Sequence, residues 1–293
     1  MLPAVSKQSR GSRPTISIIG LGNLGGALAL TLSAAGYRVA AIAVRPGGKR
    51  SREAKALARR VSARLIEAGK QPLDSDVVWI TVPDDAIAAV ARALARSGDW
   101  KGKFVFHSSG ALTSDELAPL RALGARVASV HPMMTFVRGA VPELANVAFA
   151  LEGNRAALHV ARSIVDDLGG QPLAIQKQHK ALYHIFGSFA SPLFIALMTS
   201  MEEVARAAGI RQRQIKPIML PLLLQTLRNY LEYDAASAFT GPLARGDAAT
   251  VQKHIAELKE LPEARAVYIA LAKAALKRLP TKAPQKITRA LVL

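Results

Sequence analysis

Gly20-Leu21-Gly22-Asn23-Leu24-Gly25 sets three glycines at the spacing GxGxxG, directly after the apolar run Thr15–Gly20 and before leucines at helical spacing. In that context the pattern reads as a dinucleotide turn. Gly20 permits a tight bend, Gly22 lets the backbone approach a pyrophosphate, and Gly25 lets the helix pack closely on the strand. The helix start turns free N–H groups and a positive dipole end toward the phosphates. The acid that would bond an NAD ribose is missing. Twenty residues past Gly25 stands Arg45, followed by Lys49, Arg50 and Ser51. A guanidinium cannot accept the ribose hydroxyls, but it pairs with a 2′-phosphate. NADP(H) is therefore the expected cofactor, with Arg45 and Ser51 at its adenosine end. The plainer reading of Arg45 is a side chain that stacks on adenine or faces solvent.

An open parallel sheet binds ligands beyond the carboxyl ends of its strands. Three polar segments fall there: Val82 and Pro83 between Thr81 and Asp84; Ser108 and Ser109 between His107 and Gly110; and His131 before Pro132. Val82, Pro83, Ser108 and Ser109 are candidates for the nicotinamide end of the cofactor site, and His131 for substrate. Each also has a structural reading, as a helix start, a turn or a core histidine. For His107 the core reading is preferred; for His131 the two stand level. His179 and His184 are five apart and share no helix face, so no metal site is expected.

The elements that must carry these residues alternate. Strands are expected at 15–20, 38–44, 77–82, 104–107, 127–130, 147–151 and 172–175, and helices after Gly22, at 51–60 and at 84–96. Thr113 and Glu116 have capping-box spacing. The expected class is α/β: a Rossmann-like, doubly wound, mostly parallel sheet. Past about Gln176 strand signals stop, and helical stretches run over 177–208, 215–233 and 247–279, with Pro217 and Pro221 implying a kink or late start in the second. The expected domains are a flexible basic N-terminus (1–14), a Rossmann dinucleotide-binding domain (15–176) and a helical substrate and dimerisation domain (177–293), the last residues forming a loose tail.

The 293 residues contain no cysteine, which excludes disulfides, thiolate zinc sites and cysteine nucleophiles. The first residues lack the apolar stretch of a signal peptide. No run of about 18 apolar residues is apparent, so no membrane span is expected. These features suggest a cytoplasmic protein. The net charge of +18 is concentrated at 45–64 and 273–289. It suits phosphorylated cofactors and acidic substrates. With no zinc finger or aromatic RNA-binding motif present, nucleic acid is not the expected partner.

The segments GLGNLG, VPDDAI, HSSGAL, SVHPMMTF, KALYH and TGPLARGD, in that order, together resemble a bacterial family that pairs a Rossmann-like domain with a helical domain of unknown function. The family is similar to pyrroline-5-carboxylate reductase, the deazaflavin-dependent NADP reductases, and the β-hydroxyacid and 6-phosphogluconate dehydrogenases. The resemblance covers roughly Thr15 to Leu279 and implies a helical C-terminal domain that dimerises, hence a homodimer. The β-hydroxyacid relatives carry a catalytic lysine, and an asparagine four residues later, on the first long interdomain helix. Lys180 matches the lysine; His184 stands where the asparagine would be, a departure from the hydroxyacid pattern. Ser188 continues the same face, since residues four apart on a helix are neighbours. In TGPLARGD, Asp247 is placed to cap the next helix, and Arg245 either binds a substrate carboxylate or phosphate or only ties the loop down.

The expected reaction is hydride transfer from NADPH to a C=N or C=O carbon of a small anionic substrate. His184 is the favoured acid, because histidine is the side chain that ordinarily titrates near neutral pH. Lys180 would stabilise charge or share the proton, and Ser188 would complete the catalytic set. The rival is an NADP-binding sensor or scaffold without turnover.

Overall fold

The computed structural model describes residues 13–45, 51–68, 70–96 and 98–292. The chain divides into two compact units, Met1–Gly187 and Ser188–Leu293.

The first unit alternates strands and helices: β1 (Ile16–Ile19), α1 (Asn23–Ala34), β2 (Val39–Val44), α2 (Ser51–Arg60), β3 (Arg64–Glu67), β4 (Val77–Ile80), α3 (Asp84–Ala95), β5 (Phe104–His107), α4 (Ala118–Arg121), β6 (Arg126–Pro132), β7 (Ala148–Gly153), α5 (Arg155–Asp167) and β8 (Gln171–Ala174). These strands form one eight-stranded sheet in the order β3-β2-β1-β4-β5-β6-β7-β8. Every neighbouring pair is parallel except β6 and β7. The strands β1 (ISII) and β4 (VVWI) are buried at every position, as central strands covered on both faces must be. One face packs on α1 and α5 through Leu28, Leu32, Ala161 and Ile164; the other packs on α3 through Ile87, Ala91 and Leu94. The strand order reverses between β1 and β4, the switch point beyond whose carboxyl ends open α/β sheets bind their ligands.

The second unit is helical, as expected. α6 (Lys180–Ala190) leads into it, followed by α7 (Pro192–Ala207), α8 (Gln212–Glu232), α9 (Ala235–Ala238), α10 (Pro242–Arg245), α11 (Ala248–Glu257), α12 (Pro262–Arg278) and α13 (Pro284–Ala290). The compact units divide at Gly187, eleven residues past the expected boundary at Gln176. Lys180 and Tyr183 on the first turns of α6 are buried and belong with the sheet.

Several local expectations change. β3 (RLIE), an edge strand with a charged residue at each end, carried too few apolar residues to be seen. The stretch 177–208 is two helices, broken where Ser191 leaves helical geometry (φ −130°, ψ −84°). Length and composition alone make Lys177–Ala207 able to cross a membrane, a run the sequence reading missed by asking for unbroken apolarity. α8 starts before Pro217 and Pro221 and takes both inside it. The supposed loose tail folds as α13, with Ile287, Ala290 and Leu291 in the core of the second unit. Thr113 does not make a capping box: its hydroxyl accepts weakly from Asp115 N–H (3.4 Å). That turn is held instead by Glu152 of β7, whose carboxylate accepts from Ser114 N–H (2.7 Å) and Ser114 Oγ (2.8 Å).

Candidate functional site

The glycine turn sits at the end of β1, and its geometry gives two of the glycines distinct tasks. Gly20 has φ +100°, and a β-carbon there would lie 2.9 Å from both Thr81 O and Val82 Cγ1. A β-carbon on Gly25 would lie 2.1 Å from Gly20 O and 2.4 Å from Thr81 Oγ1, so only glycine lets α1 come this close to β1. The Thr81 hydroxyl donates to Gly20 O (2.8 Å) and fastens the turn to β4. Leu21 and Leu24 pack against the core, while Gly22 and Asn23 are exposed. Gly22 opens α1 with no side-chain cap, which leaves first-turn N–H groups for another acceptor. Asn23 Nδ2 donates sideways to Phe136 O (2.9 Å).

Arg45 follows β2 and is exposed. Gly20 N–H bonds Ala43 O at 3.0 Å, which puts the end of β2 beside the glycine turn. Lys49 and Arg50 lie outside the described residues, as does the side chain of Ser51, the first residue of α2. Val82 is half-buried against Gly20, and Pro83 opens α3. A glycine cradle, an uncapped helix start and a neighbouring cation match the donor set that a phosphorylated dinucleotide requires.

Beyond β5 the polar side chains are bound to one another. Ser108 Oγ accepts from Trp79 Nε1 (2.8 Å). Ser109 Oγ donates to Asp84 Oδ2 (2.7 Å) and accepts from Leu112 N–H (2.9 Å) and Ala111 N–H (3.2 Å). These hydroxyls hold the loop's shape, so what they present outward is mainly backbone. His107 is fully buried: its Nδ1 accepts from Ser109 N–H (3.1 Å) and its Nε2 bonds Thr113 O (2.9 Å). Burial pushes its pKa down to about 4, and it is the core histidine that the sequence favoured.

Lys180 is 1% exposed. Its ammonium donates to Ser129 Oγ (2.5 Å) and to Ser109 O (3.0 Å), and Ser129 Oγ donates to the same carbonyl (3.1 Å). Burial pulls its pKa down to about 8, against the opposing pull of Glu152 and Asp84. His131, on β6, shares a 2.9 Å hydrogen bond with the hydroxyl of Tyr183. Its pKa is lowered to about 4, first by burial and then by the charges of Lys180 and His184. His184 is exposed, its ring centroid 6.3 Å from that of His131. Gly110 separates the two: a β-carbon there would lie 2.7 Å from His184 Cδ2 and 2.9 Å from His131 Nε2.

Lys180, His184, His131 and the Ser109–Gly110 backbone therefore meet at one sheet edge in the first unit. Ser188 and Arg245 belong to the second unit; Ser188 is half-buried and Arg245 exposed. Asp247 caps α11 through Thr250 N–H (3.1 Å), as expected. The sequence reading passed over Tyr183, Ser129 and Glu152. Two signals were available: Tyr183 falls three residues after Lys180 on the same helix face, and Glu152 is an acid inside the apolar strand AFALEG.

Residues 1–132 match the Rossmann-like domain family, and residues 147–275 match DUF2520, a domain of unknown function. No curated protein matches the sequence. Among solved structures, a Bacteroides fragilis protein provisionally designated an NADP oxidoreductase superposes with a TM-score of 0.75 at 19% identity, covering 90% of this chain and 98% of that one. An imine reductase from Myxococcus stipitatus in complex with NADP+ gives 0.62 at 20% identity, over 96% and 100% of the two chains. A pyrroline-5-carboxylate reductase from Coxiella burnetii gives 0.56 at 19% identity, over 95% and 98%. At these identities the likeness is one of fold. The chain pairs a Rossmann-like domain with a DUF2520 domain.

Proposed function

We propose that the chain is an NADPH-dependent oxidoreductase that delivers hydride to the carbon of a C=N or C=O group in a small anionic molecule. The observation that carries this reading is the uncapped start of α1 behind Gly20, Gly22 and Gly25, with Arg45 at the neighbouring strand end. The solved structures of like fold support it, since those named above are described as an NADP oxidoreductase, an imine reductase holding NADP+ and a pyrroline-5-carboxylate reductase.

A bound dihydronicotinamide supplies the hydride. The chain's own residues bind, orient and protonate. The turn Gly20–Gly25 receives the pyrophosphate on backbone N–H groups, and Arg45 pairs with the 2′-phosphate. His184, exposed beside Gly110, donates the proton to the substrate nitrogen or oxygen. Lys180 lies under the Ser109 carbonyl and biases the edge toward negative charge, and His131 binds substrate.

Calorimetry with both nucleotides tests the cofactor assignment. NADPH is expected to bind about tenfold or more tighter than NADH, the worth of a charge-assisted contact, and Arg45→Ala to remove most of that preference. Equal affinities, unchanged in the variant, would sink the assignment. Turnover is tested by loss of dihydronicotinamide absorbance against a panel of cyclic imines and 2-oxo acids. Tight binding with no turnover across the panel favours the sensor reading.

The same reading makes the protein a cytoplasmic homodimer. In α8, 21 residues long, only Ile215 is buried, and α7 has no buried residue. Leu222 and Leu231 are 65% and 72% exposed. A helix apolar on several sides needs a partner. A second copy suits it better than lipid, because the Lys177–Ala207 run is broken at Ser191 and contains the buried, hydrogen-bonded Lys180. Light scattering on the wild type is expected to give twice the chain mass, and the double variant Leu222→Glu/Leu231→Glu the mass of one chain. A monomeric wild type at micromolar concentration counts against the dimer.

A further inference from the structure

Tyr183 is 7% exposed, and its ring stands edge-on to His131, with centroids 5.6 Å apart at 89°. We propose that Tyr183 fixes the tautomer of His131: the phenol donates to Nδ1, the ring hydrogen is held on Nε2, and His131 offers an Nε2–H donor to a substrate oxygen beside Gly110. The identity of the ligand rests on the reductase reading above; the tautomer does not.

A neutral imidazole has one donor and one acceptor nitrogen. If Nδ1 carried the hydrogen, the phenol oxygen would accept it, and the phenol's own proton would need another acceptor. Among the described residues, the hydroxyl's hydrogen-bond partner is Nδ1, at 2.9 Å. A buried donor left without an acceptor is the arrangement folded proteins avoid. Burial keeps Tyr183 a phenol, pushing its pKa up to about 12, and keeps His131 a neutral ring. The titratable and charged groups facing His131 are Lys180 and His184 from α6, Asp84 from α3 and His107 from β5. Of these, Asp84 favours the imidazolium, and the other three oppose it. His107, one strand away, already has this tautomer: its Nδ1 accepts from an N–H, so its Nε2 must donate to the Thr113 carbonyl.

Nε2 of His131 sits 2.9 Å from where a β-carbon on Gly110 would be, so any side chain at position 110 would press on this nitrogen and only glycine leaves it uncovered there. An N–H donor that stays neutral suits an oxygen acceptor. The group it fits is the carboxylate of an imino or oxo acid, with the proton transferred elsewhere, by His184. Tyr183 is then a positioning residue.

The test uses the full chain with 15N-labelled histidine and long-range proton–nitrogen correlation at neutral pH, with His131→Gln to assign the signals. The expected result is a pyridine-like Nδ1 and a pyrrole-like Nε2 on His131. Tyr183→Phe keeps the ring and removes only the hydroxyl. It should move both His131 nitrogens toward tautomer-averaged shifts while those of His107 stay in place. In the turnover assay the same variant should raise KM for the acid substrate roughly tenfold, with NADPH affinity unchanged. A pyrrole-like Nδ1 in the wild type, or unchanged His131 shifts in a folded Tyr183→Phe, overturns the proposal. If that variant does not fold, the wild-type spectrum alone decides the tautomer. Failure of NADPH to bind removes the reductase reading and leaves the nitrogen shifts to decide the tautomer independently.

Discussion

Gly25→Ala is expected to lose about 3 kcal/mol of stability and all measurable nucleotide binding, while Gly26→Ala, one residue on, gains up to about 1 kcal/mol. Both replacements add a methyl group inside α1 and both remove the entropic cost of a helical glycine. What separates them is space. The new carbon at position 25 would lie 2.1 Å from Gly20 O, a backbone atom that cannot rotate away. At position 26 the nearest atom is Leu57 Cδ2 at 3.8 Å, an ordinary contact. Relief at position 25 requires α1 to move off β1, which carries the helix start away from the turn. Urea denaturation of the two variants, with NADPH titrated into each, reads both effects. Equal midpoints for the two would mean that α1 is not held to β1 by this contact.

Lys180→Met is expected to cut turnover about a hundredfold, with a stability loss near 1 kcal/mol at neutral pH. Methionine fills much of the same volume without the ammonium. The Ser109 carbonyl would keep one donor, Ser129 Oγ, so it would not be orphaned. Lys180→Ala, in contrast, leaves a cavity and should cost roughly 2–5 kcal/mol, confounding folding with catalysis. The wild type also differs from Lys180→Met in its response to alkali. The lysine's pKa is near 8 in the folded chain and higher when unfolded, so between about pH 8 and 10.5 the unfolded chain binds more protons. Wild-type stability should therefore rise relative to Lys180→Met across that window, by about 3 kcal/mol at most. Denaturation at pH 7 and pH 10 measures it, and parallel pH curves for the two proteins would mean that Lys180 is not buried. A folded Lys180→Met with full turnover would remove the residue from the mechanism.

The dinucleotide turn was legible because its residues are local: three glycines within six positions, between an apolar strand and a helical repeat. Central strands such as β4 were legible for a related reason, being apolar at every position. β3 was not, since an edge strand buries little and its RLIE sequence reads as surface. α13 was missed because a short segment rich in lysine and arginine resembles a tail until Ile287 and Leu291 find a core to enter. The site behaved similarly. Lys180 and His184 were singled out by the resemblance of KALYH to the β-hydroxyacid pattern, and the serines after β5 were read either as ligand contacts or as a turn. Their hydroxyls serve Trp79, Asp84 and nearby backbone N–H groups. Tyr183 lies 52 positions from His131, and such a pairing exists only once β6 and α6 are folded together.

The turn after β5 has a further consequence, for how such a protein diverges. Its shape is not written in the ladder of the sheet. Ser109 N–H bonds a histidine ring, Ala111 and Leu112 N–H bond a serine hydroxyl, and Ser114 N–H bonds a glutamate from another strand. A loop specified by side chains can be redrawn by exchanging those side chains, while the strand pairs on either side keep their register. The fold thus separates what must be inherited together from what can drift alone, and the separable part is the one that borders His131.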